Sequence, residues 1–415
     1  MANITPFKGL RPKKELAEQV ATLPYDVVSV AEAREFKNSP YNFYHVTRSE
    51  IDLPDDIDVH SMQVYEKAKE NLESFISSNV MVRDSKPCYY IYELVMDGRS
   101  QTGLLCGSSV DDYNNGIVKK HEFTRPEKEQ DRINHIATTG AQTGIVFLAY
   151  NDCESVQQII DDWKKNHQPE NDFTAPDGIR HTFWVVDDEE KVAAITRNFA
   201  NDVPCTYIAD GHHRAASAAR VCKEMRESNY AADSSDPFNY FVTCIFPASQ
   251  LQIMDYNRVA KDLNGRTADE FIRAISNDFE ILKIGDPAFK PAHLHEFGMY
   301  LEGCWYKLEA KKGTYTSDPI GILDVTILQQ NVLDKLLDIK DPRVDKRIDF
   351  IGGIRGMGAL QKRVDNKDAA VAFSLYPVTI KQLFDIADSG NVMPPKSTWF
   401  EPKLRDGLVV YLVNH

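Results

Sequence analysis

Residues 203–225 read VPCTYIADGHHRAASAARVCKEM, and this stretch decides the fold around it. Cys205 to Ala209 is predicted as a short buried strand because the segment is mostly apolar and is bounded by turn residues. The Asp-Gly pair at 210 and 211 predicts a turn. The alanine-rich run from His213 to Met225 then predicts a helix. The sequence therefore gathers polar residues where a buried strand turns into a helix.

Residues 210–214 (Asp-Gly-His-His-Arg), called the box below, are suited to binding an anion. The first N–H groups of a helix lack internal partners and lie at the positive end of its dipole. Gly211 allows close approach of a ligand, and Arg214 offers a planar fork that matches phosphate oxygens. His212 and His213 add donors. Asp210 fits a metal, a histidine partner or a helix cap, and the alternative for the box is a capped, solvated turn.

Outward from the box, helical and strand patterns alternate without strict order, which predicts an α+β (mixed α/β) fold. A chain of 415 residues exceeds the ~250–300 residues of one core, so two parts are expected, 1–265 and 266–415. Helices are predicted over residues 61–79, 156–167, 213–225, 268–276, 325–337, 359–364 and 378–387. Strands are predicted over residues 88–95, 103–110, 144–150, 181–186, 205–209, 240–247, 305–308, 370–375 and 408–413.

The composition excludes some partners. A net charge of −14 argues against general affinity for nucleic acid or for an anionic membrane. No stretch approaches the ~18–20 apolar residues of a membrane span, and the first residues lack the apolar run of a secretory signal. Seven scattered cysteines without a Cys-x-x-Cys pair favour reduced thiols. A cytoplasmic protein is therefore expected.

A second polar cluster spans residues 119–132. Thr124 and Glu127 have the spacing of a capping box, which places His121 and Glu122 just before a helix. There the Glu122 carboxylate is a candidate general base. The alternative is a solvated charged face.

A third cluster, residues 393–403, contains Pro-Pro-Lys-Ser-Thr between aromatic side chains. Lys396 is a candidate point charge for phosphate, and Ser397 and Thr398 are candidate substrate ligands. The alternative is an ordinary proline-rich connection. Asp210, Glu122 and nucleotide phosphates are a donor set that suits Mg²⁺.

Five segments together resemble one bacterial family, long catalogued as a domain of unknown function (number ten-fifteen). They are residues 6–12 (PFKGLRP), 23–27 (LPYDV), 121–129 (HEFTRPEKE), the box, and 393–398 (MPPKST). The resemblance covers nearly the whole chain, and the family name implies no activity.

The box itself is similar to the phosphate-binding box of the ParB/sulfiredoxin superfamily, in the version found in free serine kinases. This resemblance implies a ParB/sulfiredoxin-like nucleotide-binding core with additional N- and C-terminal α/β elements. It also implies that residues 211–214 bind nucleotide phosphates. Sulfiredoxins have cysteine where His212 stands, so sulfinic-acid reduction is not expected. The DNA-binding helix-turn-helix of ParB proteins is not evident.

The leading hypothesis is a kinase that uses ATP or ADP, with Mg²⁺, to phosphorylate a small hydroxyl compound, free L-serine being the best single candidate. Glu122, Asp210 and His213 are predicted as catalytic, and Asp210 also as metal ligand. Lys396 joins residues 211–214 at the nucleotide, and His121, Arg125, Ser397 and Thr398 are predicted at the substrate. The alternatives are a non-catalytic, ParB-like nucleotide-binding regulator and a hydrolase using a transition metal at the histidines. Donor, acceptor and oligomeric state stay open.

Overall fold

The strands and helices form two units, each with its own sheet. The computed structural model describes residues 1–228 and 233–414. The first unit is Met1–Leu251 with Pro402–His415, and the second is Gln252–Glu401. The boundary expected between residues 265 and 266 falls inside the second unit. Because the chain returns to the first unit at Pro402, the second unit is an insertion in the first.

The first unit has nine α-helices among its described residues, and four of them have five residues or fewer. The nine helices are α1 (Ala17–Val20), α2 (Val30–Arg34), α3 (Tyr44–Thr47), α4 (Met62–Ser77), α5 (Val110–Asn114), α6 (Pro126–Thr139), α7 (Glu154–Asn166), α8 (Glu189–Asp202) and α9 (His212–Ser228). The helices of the second unit are α10 (Ala268–Ile275), α11 (Asp324–Leu328), α12 (Gly356–Asp365) and α13 (Ile380–Asp388). Helix α11 continues as a π-helical turn, Gln329–Asp334.

The strands are given in chain order. They are β1 (Ile4–Thr5), β2 (Leu10–Pro12), β3 (Met81–Arg83), β4 (Tyr89–Met96), β5 (Arg99–Ser109), β6 (Val118–Lys119), β7 (Ala141–Gln142), β8 (Val146–Tyr150), β9 (Asn171–Thr174), β10 (Arg180–Val186), β11 (Thr206–Asp210), β12 (Tyr240–Pro247), β13 (Ile253–Met254), β14 (Tyr256–Ala260), β15 (Phe279–Gly285), β16 (Glu296–Leu301), β17 (Cys304–Ala310), β18 (Ile348–Gly352), β19 (Val371–Leu375), β20 (Trp399–Phe400) and β21 (Tyr411–Leu412).

The main sheet of the first unit has the order β6-β11-β8-β12-β5-β4-β10-β9, and β1 pairs with the end of β5. Strands β6 and β11 run parallel, as do β8 and β12, whereas the other neighbours are antiparallel. Strand β21 returns from the end of the chain to pair with β7. This mixture of parallel and antiparallel strands with helices confirms the predicted mixed α/β class.

The second unit is built on an antiparallel sheet of order β15-β17-β16-β19-β14-β18. Helix α12 packs on this sheet, and its apolar side chains join a core around the fully buried Trp305. Among residues 1–228 and 233–414, no helix combines the length and apolar character needed to cross a membrane.

Most long elements lie within a few residues of their predicted bounds, but the start of α6 differs. Its N-cap is Arg125, and no side chain caps it. The capping box predicted for Thr124 and Glu127 is therefore wrong: the Thr124 hydroxyl instead donates to Glu129. Pro126 at the first helical position starts this helix, because proline needs no N–H partner there.

Candidate functional site

The box lies at one edge of the main sheet, where strand β11 ends at Asp210 and helix α9 begins at His212. Gly211 makes the turn with a φ of +96°. A Cβ on Gly211 would lie 3.1 Å from the Arg214 guanidinium and 3.4 Å from the Val146 Cα. Both the backbone conformation and the crowding therefore favour glycine.

Parallel pairing brings the second polar cluster to the box. The register joins Val118 to Thr206 and Lys119 to Tyr207, so β6 and β11 end at the same edge. The rings of His121 and His212 lie 4.5 Å apart at 88°. The backbone N–H of His121 also points at Nε2 of His212, 3.5 Å away. The structure thus unites residues that are far apart in sequence.

Both of these histidines are buried, and their environment keeps them neutral. His121 is 2% exposed and His212 is 5% exposed. Burial lowers the pKa of His121 to about 4, although Asp210 and the backbone of Ile208 oppose the shift. Burial also lowers the pKa of His212 well below its usual value. Neither ring nitrogen of His121 has a hydrogen-bond partner of good geometry among the described residues.

Arg214 is turned into the protein. Its Nη1 donates to the carbonyl of Ile145, and its Nη2 lies 3.4 Å from Asp210 and 3.7 Å from Asp26. The Lys403 ammonium is 3.5 Å from the same Asp210 carboxylate. Burial alone would raise the pKa of Asp210, but Lys403 and Arg214 hold it far below its usual value. Asp210 is therefore an ion-paired carboxylate.

A further carboxylate reaches this network from the end of the chain. Asp406 is 1% exposed, and its backbone pairs with Thr22 in both directions. Burial raises the pKa of Asp406 to about 7, with Asp26 adding to the shift and Arg214 opposing it. Residues 402–406 thus add charged groups beside the box, and these groups come from the C-terminal segment of the first unit.

A cavity of about 350 Å³ lies next to the box. His213 lines it, together with Asp26 and with two pairs of opposite charge. In one pair, Arg132 is 2.7 Å from Asp131. In the other, Arg48 is 3.1 Å from Glu50. The cavity is therefore small, and its lining carries groups of both signs of charge, with one acidic side chain more than basic ones.

Helix α6 borders this cavity and contacts the box. The backbone N–H of Arg125 donates to Nδ1 of His213 over 3.4 Å. Burial lowers the pKa of His213 to about 4, and Lys128 adds to the shift while Glu129 opposes it. Of the residues predicted at the substrate, His121 and Arg125 thus lie at the box. Their roles toward a substrate stay predictions.

Residues 393–401 of the third polar cluster lie in the second unit, whereas Lys403 belongs to the first unit. Two residues of the part in the second unit have local partners. The Ser397 hydroxyl donates to the carbonyl of Pro394 over 2.5 Å. The carbonyl of Lys396 accepts from Arg258 over 2.9 Å, and its ammonium lies 5.9 Å from the Tyr256 ring centroid. The nucleotide role of Lys396 and the substrate roles of Ser397 and Thr398 stay predictions.

The residues around Asp210 do not fit a resident Mg²⁺. This ion prefers several oxygen ligands with negative charge to spare. Asp210 is already neutralised by Lys403 and Arg214 on two sides. The prediction that Asp210 ligates a metal is therefore retained only for an ion that arrives with nucleotide phosphates.

Sequence reasoning missed several groups of the site. Asp26 lies in a segment that was noticed only for its resemblance to a family. Arg132 and Asp131 belong to a run that reads as a solvated face, although Arg132 is 9% exposed and lies 3.9 Å from the Tyr25 ring centroid. Lys403 and Asp406 follow a proline-rich stretch. The only local sequence signal for Asp26 is its position in the segment Pro24-Tyr25-Asp26.

Comparisons with solved structures give distant likenesses. A free serine kinase variant in complex with AMP has a TM-score of 0.36 and 11% identity over 72% of this chain and 86% of that one. A hypothetical protein from Pyrococcus furiosus has a TM-score of 0.34 and 12% identity over 75% and 95%. A truncated SbnI from Staphylococcus aureus has a TM-score of 0.36 and 9% identity over 74% and 86%. Likenesses this weak say nothing about function.

No curated protein matches the sequence. A family described as "Protein of unknown function (DUF1015)" matches residues 4–326, which is more than half of the chain. That match confirms the resemblance to the family and includes four of the five segments, whereas residues 393–398 lie outside the matched range. The chain belongs to this family of unknown function.

Proposed function

We propose that the chain is a small-molecule kinase that transfers a phosphoryl group from ATP or ADP to a hydroxyl acceptor, with free L-serine as the best candidate. The observation that carries the proposal is the position of His213. It belongs to the first turn of α9, and it also lines the charged cavity. A phosphate bound at the start of α9 would therefore face the contents of the cavity. The resemblance of the box to that of free serine kinases supports the same reaction.

The start of α9 supplies the anion site in this proposal. The helix extends from His212 to Ser228, long enough to develop a dipole. Gly211 adds no side chain beside the N–H groups that follow it in the first turn. Arg214 supports this anion site indirectly. Its guanidinium contacts the carbonyl of Ile145 and the carboxylate of Asp210, and these contacts fix the turn before α9. Its contribution to nucleotide binding is to hold the box in shape and to add positive charge.

The cavity supplies the acceptor site. Its volume of about 350 Å³ falls in the range of small-ligand pockets, ~300–1,000 Å³. An amino acid carries one carboxylate and one ammonium group, and the cavity offers both Arg48 and Arg132 and both Glu50 and Asp131. A free amino acid with a hydroxyl side chain therefore matches a lining with both basic and acidic side chains better than a simple alcohol does.

Transfer requires a group that accepts the hydroxyl proton. The acceptor oxygen bonds to the terminal phosphorus, the bond from that phosphorus to the nucleotide oxygen breaks, and the proton passes to a carboxylate. The sequence predicts Glu122 for this role, but the cavity's described lining does not include it. Asp26 does line the cavity, beside His213. Geometry therefore favours Asp26, with Glu122 as the rival.

The remaining assignments follow from this arrangement. Asp210 orients Arg214 and Lys403, and in the presence of nucleotide it is the candidate carboxylate for Mg²⁺. His213 separates the two substrates. Lys396 is proposed for the nucleotide, and Ser397 and Thr398 are proposed for the substrate. The cytoplasm is the proposed location.

A product screen tests the function. The full-length chain is incubated with Mg²⁺ and ATP, ADP or CTP, with L-serine and other hydroxyl compounds as acceptors. Mass spectrometry is expected to find O-phosphoserine, and omission of serine is expected to abolish the product. Nucleotide binding without transfer to any acceptor would favour the regulator instead. Absence of binding of all three nucleotides at millimolar concentration, by calorimetry, would refute the box as a nucleotide site.

A further inference from the structure

His121, His212 and Glu122 form a cluster of metal-ligating side chains at the sheet edge. One nitrogen of each ring and one Glu122 carboxylate oxygen all lie within 4.8 Å of one another. His121 and Glu122 follow strand β6 by two and three residues, and His212 follows strand β11 by two. The parallel pairing of β6 with β11 therefore brings the three residues together.

An unpartnered buried group provides a second, independent observation. His121 is 2% exposed, and neither ring nitrogen makes a hydrogen bond of good geometry, although the backbone of Ile208 lies close enough to interact with the ring. Buried polar atoms nearly always have partners, and one without a partner calls for an explanation such as an ion. A metal ion that accepts the lone pair of one nitrogen would remove this cost.

The three side chains form a mixed set of ligands. The two imidazole rings offer one nitrogen each, and Glu122 offers a carboxylate oxygen. Imidazole binds a metal ion through the lone pair of a ring nitrogen, and the carboxylate brings negative charge to the ion.

We propose that His121, His212 and Glu122 bind a divalent transition-metal ion of the Zn²⁺ or Mn²⁺ class. Imidazole nitrogens suit such ions, whereas Mg²⁺ prefers a shell of oxygens. Three protein ligands leave one coordination position open, as in catalytic rather than structural zinc sites. The site does not depend on nucleotide binding, and it differs in position and ligands from the Mg²⁺ assigned to Asp210.

Binding requires a small closure of the cluster. Ligand atoms on one tetrahedral ion at ~2.0–2.1 Å lie roughly 3.4 Å apart, which is closer than the 4.8 Å limit that encloses them here. Rotation of the Glu122 side chain, at the loop before α6, provides part of this change. The buried rings need only a small adjustment.

Metal titration of the full-length chain without nucleotide tests the site. After removal of metals with a chelator, calorimetry is expected to show one Zn²⁺ per chain, bound about 100-fold more tightly than Mg²⁺. Co²⁺ is expected to give visible absorption bands that report nitrogen and oxygen ligands. Failure of Zn²⁺, Mn²⁺ and Co²⁺ to bind stoichiometrically would overturn the proposal and leave the kinase proposal untouched.

Variants locate the ion. Glu122→Gln keeps the shape of the loop and is expected to weaken Zn²⁺ binding at least 10-fold, as is His121→Gln. Glu127→Gln and His293→Gln are matched controls at exposed positions outside the cluster, and each is expected to bind Zn²⁺ like the parent chain. If His121→Gln does not fold, Glu122→Gln decides. Unchanged Zn²⁺ affinity and unchanged Co²⁺ bands in Glu122→Gln would overturn the assignment.

Discussion

Two regions meet at the end of strand β11. One contains ion-paired charges, and the other contains a pair of uncharged histidine rings. On one side, Arg214 is surrounded by the carboxylates of Asp26, Asp210 and Asp406. On the other side, His121 and His212 are neutral and packed edge to face. Sequence neighbours thus serve different environments, because successive side chains at a strand-to-helix turn leave the backbone in different directions. A polar run in a sequence is therefore not evidence of a single site.

Removal of the proposed base is expected to have the largest effect. Asp26→Asn keeps the size of the side chain but cannot accept a proton, so turnover is expected to fall by roughly 10²–10⁴-fold at little cost in nucleotide affinity. Glu122→Gln is the comparison on the neutral side, where a smaller loss of turnover is expected. Product formation and calorimetry measure both variants. The reverse order would assign the proton to Glu122.

Arg214→Lys tests the charged side of β11. Lysine keeps the charge but cannot hold Ile145 and two carboxylates at once, so stability is expected to fall by roughly 3 kcal/mol and nucleotide affinity at least 10-fold. Arg220→Lys is the control, because Arg220 lies on the same helix with its side chain 62% exposed. Chemical denaturation and calorimetry give the two readouts. Parent-like values for Arg214→Lys would mean that the fork does not fix the turn.

Asp406 gives the charged side a pH dependence. Its pKa, raised to about 7, means that the folded chain binds this proton more tightly than the unfolded chain, whose pKa is near 3.8. The free energy of unfolding therefore falls as pH rises from about 4 to about 7 through this group. Asp406→Asn is neutral throughout, and its stability relative to the parent is expected to improve over that window by roughly 4 kcal/mol. Denaturation curves at several pH values measure this, and a constant difference would contradict it.

Gly211 lies between the two regions. A second glycine, Gly178, makes it possible to separate the effect of a positive φ from the effect of crowding. Gly178 has a φ of +82° and open space where a Cβ would be, whereas Gly211 has both a positive φ and close neighbours. Alanine at either position is expected to cost about 1–2 kcal/mol for the backbone. Gly211→Ala is expected to cost about 1 kcal/mol more, because Arg214 must move. Equal losses of stability would show that crowding at Arg214 is unimportant.

The smallest effect is expected for Lys396. Lys396→Met removes a point charge from the second unit and is expected to weaken nucleotide binding several-fold, since lysine makes no bidentate contact. Lys381→Met, on an 82% exposed side chain of α13, is the control. Identical nucleotide affinity in the two variants would remove the Pro-Pro-Lys-Ser-Thr loop from the proposed site.

The sequence predicts the local part of this site well. Strand β11 and helix α9 each begin within a residue of the expected position, because apolar burial and alanine content are properties of the segments themselves. The direction of Arg214 is not a local property. Its fork was expected to face a phosphate, and the structure shows it bound to Ile145 and Asp210 instead.

The non-local part could not be predicted. The neighbourhood of His121 and His212 depends on the parallel pairing of β6 with β11, and nothing in the two segments specifies that register. Strand β6 has only two residues and leaves almost no periodic signal. Lys403 and Asp406 reach the box only because the chain returns to the first unit after Pro402. Such contacts depend on topology rather than on pattern.

The discontinuity of the first unit has a consequence for synthesis on the ribosome. The box, its neighbouring strands and the cavity are all translated before the second unit, but Lys403 and Asp406 emerge only after it. Until then, Asp210 lacks Lys403, Arg214 lacks Asp406, and β7 lacks β21. The first unit of the nascent chain therefore lacks its C-terminal segment while the inserted unit is synthesised and folds. Ribosome-bound chains that end before residue 402 would carry the complete box sequence without its final set of charges.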